Sequence, residues 1–354
     1  MTWPEPPPAA LRLAIDTGAL AANWRALDRL SGVAEAGAAI KADAYGLGVA
    51  AVLPALLKAG ARRFWVAHWG EVAPALAWAE PAMLAVLHGV TTPAEAAFAR
   101  ASGVRPVISS LAQARLWLEG GGGPCQLMID TGINRLGLGP QDAGDPALAG
   151  LTPELVLSHL ACADEPDSAH NARQLAAFHA VLARFPGIPA SLANSAGIAL
   201  GPAYHFRCTR PGLALYGGVP CDALAGAIAP VVTPEAMVLQ VRELGAGNPV
   251  GYNATFVAPA AMRIATVALG YADGLLRQWG GRCALAHRGA RLPVLGRISM
   301  DMVVVDAGAA PALAEGDFVQ LPYGLAMAAA ASGLSQYELL TVLGRRFART
   351  APAA

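Results

Sequence analysis

Residues 38–48 read Ala38-Ala39-Ile40-Lys41-Ala42-Asp43-Ala44-Tyr45-Gly46-Leu47-Gly48. A short apolar run stops at a lysine, and small residues and glycines follow, which let the chain close around a bound group. Only two lysines occur, Lys41 and Lys58, although Lys and Arg together number 25. Alone, a lysine at a strand end reads as a surface residue. Lys41 offers what the surrounding arginines cannot, a primary amine able to lose its proton and form a Schiff base.

The same grammar recurs outward from this stretch. Short apolar runs at 36–41, 63–68, 82–88, 104–109, 125–130, 153–159, 188–193 and 205–210 alternate with alanine- and leucine-rich helical stretches. Eight such units predict an α/β fold, a closed parallel (β/α)8 TIM-type barrel over residues 10–228, because closure leaves no sheet edge exposed. Polar residues then collect at one end of it. Lys41 follows the first run, Arg135 the fifth, His159 the sixth, Asn194 and Ser195 the seventh, and Arg210 the eighth. Barrel sites are assembled at the C-terminal ends of strands, so these residues are expected to converge. His68 and His88 also end runs and read as core or rim residues.

After about residue 228 the pattern changes. Val231–Val241, Ala261–Leu269, Arg291–Leu295, Met302–Val305 and Phe318–Leu321 read as strands without long helices between them, with Gly and Pro at the turns. They predict a mainly β C-terminal domain over 229–354, on which the first ten or so residues pack, with one helix over 326–343.

Composition excludes several classes. A formal net charge of zero argues against nucleic acid or an anionic membrane surface as partner, and a small neutral metabolite fits better. Mean hydropathy is +0.43, but alanine supplies much of it, and prolines, glycines and charges interrupt every long run. No spanning segment is expected. Residues 1–8, Met-Thr-Trp-Pro-Glu-Pro-Pro-Pro, lack a basic start and apolar stretch, which predicts a cytoplasmic protein. Five cysteines without a Cys-x-x-Cys pair predict free thiols, with neither disulfide nor metal. Gly120–Gly123 reads as a loop, since no phosphate-binding fingerprint surrounds it.

Several motifs stand in one order: the lysine segment at 41–48, then Asp130-Thr131-Gly132-Ile133-Asn134-Arg135-Leu136-Gly137, Ser158-His159-Leu160-Ala161 and Asn194-Ser195. Arg210-Pro211-Gly212-Leu213-Ala214-Leu215-Tyr216-Gly217, Val250-Gly251-Tyr252, Gly270-Tyr271-Ala272-Asp273-Gly274 and Gly296-Arg297-Ile298-Ser299-Met300-Asp301 follow. From about residue 10 to 348 the chain resembles the alanine racemases. They are isomerases dependent on pyridoxal 5′-phosphate, built as a barrel followed by a β domain.

The resemblance implies roles. Lys41 carries the cofactor and moves a proton on one face of the substrate α-carbon; Tyr271 serves the opposite face, from the other subunit of a homodimer with shared sites. Racemisation needs both, because a proton leaves one side of a planar carbanion and another arrives on the other. Intrinsic pKa values of about 10.4 for Lys and about 10 for Tyr mean that the site must favour their proton-accepting forms. Arg210 faces the pyridine nitrogen and hydrogen-bonds to it without protonating it. His159 lies beside the ring and links Arg210 to Tyr271. Tyr45, Ser195 beside Asn194, and the backbone N–H groups of Gly212 and Leu213 hold the phosphate; Ser195 also reads as a helix cap. Arg135 and the Met300 backbone of the second subunit fix the substrate carboxylate, and Arg297, Asp164 and Tyr252 form the entry path. D-alanine biosynthesis and D-alanine breakdown both stay open as its role.

The chain also departs from the family pattern. Leu47 stands where many relatives have histidine. Met128 stands where many carry a carbamylated lysine that supports the substrate arginine, so another anion or polar group is expected near Arg135. Arg345 aligns with a substrate-side tyrosine of some relatives. A serine-directed or broad-specificity racemase therefore remains an alternative, as does a non-catalytic pyridoxal phosphate-binding barrel. A decarboxylase needs no second base, and the Tyr271 motif weighs against it.

Overall fold

The computed structural model describes residues 7–350. Packing divides them into two compact units, one spanning Gly18–Ala229 and the other made of the described residues on either side.

In the first unit Ala38–Ala39, Phe64–Val66, Leu84–Val86, Arg105–Ile108, Pro124–Met128, Thr152–Leu157 and Ala190–Ser191 form one parallel sheet in chain order. The eighth strand, Cys208–Thr209, closes it. It pairs in parallel with Glu35–Ala36, which continues the first strand, and Arg207 and Arg210 donate backbone hydrogen bonds to Ala190 and Ala193 at 3.0 and 2.9 Å. Each strand overlaps one of the eight predicted runs. Gly37 divides the first strand, and a Cβ there would lie 2.3 Å from the Trp65 ring, so only glycine admits this approach. Inside the barrel Trp65, Ala85, Val107, Met128, Leu155, Leu157 and Cys208 pack together. The Trp65 indole donates to Gln126 Oε1 at 2.9 Å, which satisfies both polar groups within that core. A second apolar layer, including Trp117 and Phe178, fills the space under the helices Leu111–Glu119 and Ala169–Leu182.

The second unit is a mainly antiparallel structure organised on one long strand, Val232–Leu244, with one parallel pair at its edge, Leu11–Ile15 beside Ala348–Thr350. Its first half pairs with Phe318–Gln320 (Glu235 opposite Gln320), and its second half, past a bulge between Val238 and Gln240, with Met262–Val267 (Leu244 opposite Met262). Val303–Asp306, Ala290–Leu295 and Ala284–His287 complete the circuit. Leu11–Ile15 belongs to this sheet rather than to the barrel, antiparallel to Val232–Ala236; its alternating burial is that of a strand with one face covered. The barrel unit therefore starts at Gly18, not at the expected residue 10. Ala10 accepts the Met237 N–H at 2.9 Å, while residues 1–6, part of the expected N-terminal packing, lie outside the described residues.

The helix expected over 326–343 is two helices, Leu325–Ser332 and Gln336–Thr341. Gly333 ends the first with φ 75°, and Ser335 starts the second through a capping box with Glu338. Among the described residues no helix is long and apolar enough to cross a membrane.

Candidate active site

Immediately after the first barrel strand the chain makes a left-handed turn. Ala42, Asp43, Ala44 and Tyr45 have φ of 55°, 52°, 54° and 55°. For L-residues this conformation costs about 1–2 kcal/mol each, and two alanines, with the smallest Cβ, limit the crowding. Hydrogen bonds offset the cost: Ala44 N–H to Ile40 O at 2.9 Å, Gly46 N–H to Ala42 O and Gly48 N–H to Asp43 O, both 2.8 Å. The Asp43 carboxylate accepts the Val49 N–H at 2.8 Å. Glu71 braces the turn from the second strand. One of its oxygens accepts the Ala42 N–H at 2.7 Å and the other the Ala67 N–H at 2.6 Å.

The Lys41 amine stands in this turn with its pKa held below the ordinary lysine value. Burial is the main cause, then the charge of Arg135; Glu71 pulls the other way, and Arg210 adds to the lowering. The charges of Arg135, Glu71 and Arg210 thus all bear on Lys41, although the four residues come from four different strand ends.

Arg210 is buried. Its guanidinium donates to Ser191 Oγ at 2.5 Å and, through a short bond, to the Ser158 carbonyl; among the described residues no carboxylate pairs with it. Burial lowers its pKa to about 10, so it stays a cation at neutral pH. His159 is pushed the other way in charge. Burial and then Arg210, Arg135 and Lys41 bring its pKa down to about 3, which keeps the imidazole neutral. The expected hydrogen bond between His159 and Arg210 is absent among the described residues, because the guanidinium is turned to the Ser158 carbonyl and the Ser191 hydroxyl.

The expected phosphate residues meet at the closing strand. Ser195 Oγ accepts the N–H groups of Gly212 at 2.9 Å and Ala214 at 3.2 Å, and Leu213 lies buried between them. Capping belongs to Asn194, whose Oδ1 accepts the Gly197 N–H at 2.8 Å. Ser195 is the next residue, which frees its hydroxyl for the 212–214 segment. Tyr45 stacks on Tyr216 with ring centroids 4.7 Å apart, and a Cβ at Gly212 would lie 2.3 Å from the Tyr45 hydroxyl. Two hydroxyls and a run of backbone amides are thus drawn together beside a buried, carboxylate-free guanidinium. That donor set fits a phosphorylated aromatic cofactor, since each group offers a neutral or cationic donor and none competes as an anion.

Arg135 is exposed on a loop held by Asp130, whose carboxylate accepts the N–H groups of Gly132, Asn134 and Arg135 at 2.9, 3.0 and 2.8 Å. Burial raises the Asp130 pKa, but these amides together outweigh it and hold the group ionised. Gln174, fully buried, ties this loop to the next: its amide donates to Thr131 Oγ1 and to the His159 carbonyl and accepts the Ala161 N–H. His68 stacks obliquely near His88 at 6.0 Å and comes within 3.8 Å of Glu71.

Tyr271 and Met300 belong to the β unit, where they lie on adjacent loops. Tyr271 N–H donates to Ser299 O and Ala272 N–H to Met300 O, both at 3.0 Å. The Tyr271 ring is half-buried, with the Arg277 guanidinium 5.0 Å from its centroid. The Met300 side chain is 53% exposed, and its backbone N–H donates to no described residue. Tyr252, of the expected entry path, is also exposed.

Sequence reading passed over Glu71 and Gln174. Glu71 is the first carboxylate after the second strand, a position that is visible in sequence, whereas the backbone N–H groups it accepts are not. Gln174 sits inside a helix with nothing local to mark it.

Comparison with known proteins gives one answer across the whole chain. The family model described as alanine racemase, N-terminal domain, matches residues 15–220, and that described as alanine racemase, C-terminal domain, matches 231–351. An alanine racemase of Methylobacterium nodulans is 45% identical over 352 residues, covering 96% of this chain and 95% of its own length. A biosynthetic alanine racemase of Agrobacterium fabrum is 43% identical, covering 96% and 93%. Among solved structures, that of alanine racemase from Bartonella henselae, with covalently bound pyridoxal phosphate, superposes with a TM-score of 0.89 at 36% identity, covering 97% of this chain and all of that one. Matched end to end in sequence and in fold, the chain belongs to the alanine racemase family.

Proposed function

We propose that the protein interconverts L- and D-alanine with pyridoxal 5′-phosphate as cofactor, using Lys41 and Tyr271 as its two proton-transferring groups. The observation that carries this reading is the setting of Lys41. A lysine amine disposed to neutrality by burial and by Arg135 sits among Arg210, neutral His159 and the Ser195–Gly212 cradle.

Lys41 would hold the cofactor covalently, Tyr45, Ser195 and the Gly212 and Leu213 amides its phosphate, and Arg210 its ring nitrogen. When bound, pyridoxal phosphate supplies an electron sink that acidifies the α C–H of an attached amino acid. Lys41 Nζ accepts or returns the proton on one face, and Tyr271 Oη does so on the other. Arg210, still protonated with a pKa of about 10, donates a hydrogen bond but does not give up its proton at neutral pH. His159, uncharged, adds no second cation beside it. Arg135 and the free Met300 N–H bind the substrate carboxylate. A second copy of the chain supplies Tyr271 and Met300 to each site, so the working unit is a homodimer. The cytoplasm is its place, and supply of D-alanine its role, in line with the relatives named biosynthetic.

Borohydride reduction of the cofactor-loaded protein followed by peptide mapping tests the central assignment. Label on Lys41 is expected; label on Lys58 with Lys41 unmodified overturns it. Racemase assays on alanine, serine and lysine with the same sample decide substrate breadth, and a loaded protein without racemase activity leaves only the cofactor-binding alternative.

A further inference from the structure

In the β unit three segments meet backbone to backbone around one guanidinium. Arg346 donates from Nε and Nη2 to the two carboxylate oxygens of Asp273 at 2.7 and 2.8 Å, and from Nη1 to Asp301 Oδ1 at 2.7 Å. The Asp273 side chain has no exposed surface, whereas Arg346 and Asp301 are about half exposed. Asp273 Oδ2 also accepts the Gly270 N–H at 3.0 Å, which closes the Gly270–Gly274 turn that carries Tyr271.

The contacts leave little slack. A Cβ at Gly270 would lie 2.2 Å from the Met300 carbonyl oxygen, one at Gly344 2.7 Å from the Ala272 oxygen, and one at Gly274 2.9 Å from the Val342 oxygen. Gly344 N–H also donates to the Asp273 carbonyl at 3.3 Å. The Tyr271 turn is therefore wedged between the Ser299–Asp301 loop and the Val342–Arg346 segment, and among the described residues Arg346 is the one side chain bonded to carboxylates of both the turn and the loop. Arg345, its neighbour, aligned with the family's substrate-side tyrosine, makes no such bond.

We infer that Arg346 is a positioning residue for proton transfer: its bidentate pair with buried Asp273 sets the Tyr271 turn, and its third bond, to Asp301, ties the loop presenting Met300 to the same guanidinium. This rests on the proposed roles of Tyr271 and Met300. A planar fork can satisfy two carboxylates in fixed directions, which a lysine ammonium on a flexible stem cannot. Small displacements of a proton-transferring group cost rate without unfolding the protein.

The test is Arg346→Lys in the full-length holoenzyme. Expected are a kcat reduced about tenfold or more, from the displaced Tyr271 turn, and a raised KM for alanine, from the untied Met300 loop. The primary isotope effect with α-deuterated alanine should rise for one enantiomer only, because only the Tyr271-side transfer is slowed. Amide hydrogen exchange in the 270–275 segment, measured without cofactor, should become faster. A folded Arg346→Lys with unchanged kcat, or isotope effects that rise equally for both enantiomers, overturns the inference. If Arg346→Lys does not fold, Asp301→Ala, which leaves the buried pair intact and removes the third acceptor, takes its place: a raised KM for alanine supports the tie to the Met300 loop, and an unchanged KM overturns it. Tyr271→Phe separates the two levels. Full activity in that variant removes the role of Tyr271 itself, whereas an inactive Tyr271→Phe beside an indifferent Arg346→Lys removes only the role of Arg346.

Discussion

Met128 occupies the position from which many relatives support the substrate arginine, and here it is 8% exposed within the apolar barrel interior. A thioether cannot bind carbon dioxide as a lysine amine can. Racemisation is therefore expected to be indifferent to added bicarbonate at fixed pH, and clear stimulation in a rate assay would contradict this. Gly212 is the other decisive single residue. A methyl group there meets the Tyr45 hydroxyl at 2.3 Å and its ring carbon at 3.0 Å, so Gly212→Ala must displace the Tyr45 ring. Overpacking of this kind costs about 1–3 kcal/mol, and if that cost falls on the phosphate cradle, pyridoxal phosphate affinity drops by about tenfold or more in a titration. Both residues were legible in sequence as an absent amine and a needed glycine. The packing around Met128 was not, because Trp65 and Leu155 reach it from other strands of the barrel.

Among the elements, the left-handed turn after the first strand carries the most consequence. Four consecutive non-glycine residues at positive φ persist only when their surroundings hold them, and Glu71 supplies two of the bonds that do so. Its charge also opposes the lowering of the Lys41 pKa. Glu71→Gln removes that charge and one of the two acceptors. Since an anion favours the protonated amine, its loss lowers the Lys41 pKa further, and the rising limb of the kcat pH profile that reports neutral Lys41 should move to lower pH. A limb moved upward or unmoved would show that Glu71 does not act on Lys41. Leaving the second amide without its acceptor should also cost about 1–3 kcal/mol, read as a lower thermal midpoint. The strands and most helices of this unit were foreseeable from periodicity. The turn was not, because Lys-Ala-Asp-Ala-Tyr carries no glycine at its left-handed positions and would otherwise read as a helix start.

At the scale of the whole molecule, the proposed site takes Lys41 from the barrel unit and Tyr271 from the β unit of a second copy. Inactive Lys41→Ala and inactive Tyr271→Phe subunits, mixed and allowed to exchange, then form mixed dimers with one site carrying both lesions and one carrying neither. Random pairing makes about half the dimers mixed, so about a quarter of wild-type activity should return if sites are independent under two-fold symmetry. Exchange confirmed by mass without recovered activity would rule out a shared site. Sequence by itself determined the eight-stranded barrel, the change to β structure near residue 228 and the strand ends where Lys41, His159, Ser195 and Arg210 appear. Apolar periodicity and the position of a polar residue after a run are local properties, readable along the chain. Only the tertiary structure decided that Leu11–Ile15 joins the β unit, that Asn194 rather than Ser195 caps its helix, and that Glu71, Gln174 and Arg346 hold the loops in place. Apart from the Asn194 cap, which is local, each rests on hydrogen bonds between segments distant in sequence, and spacing along the chain does not encode which carboxylate or amide will meet which backbone group once the fold has closed.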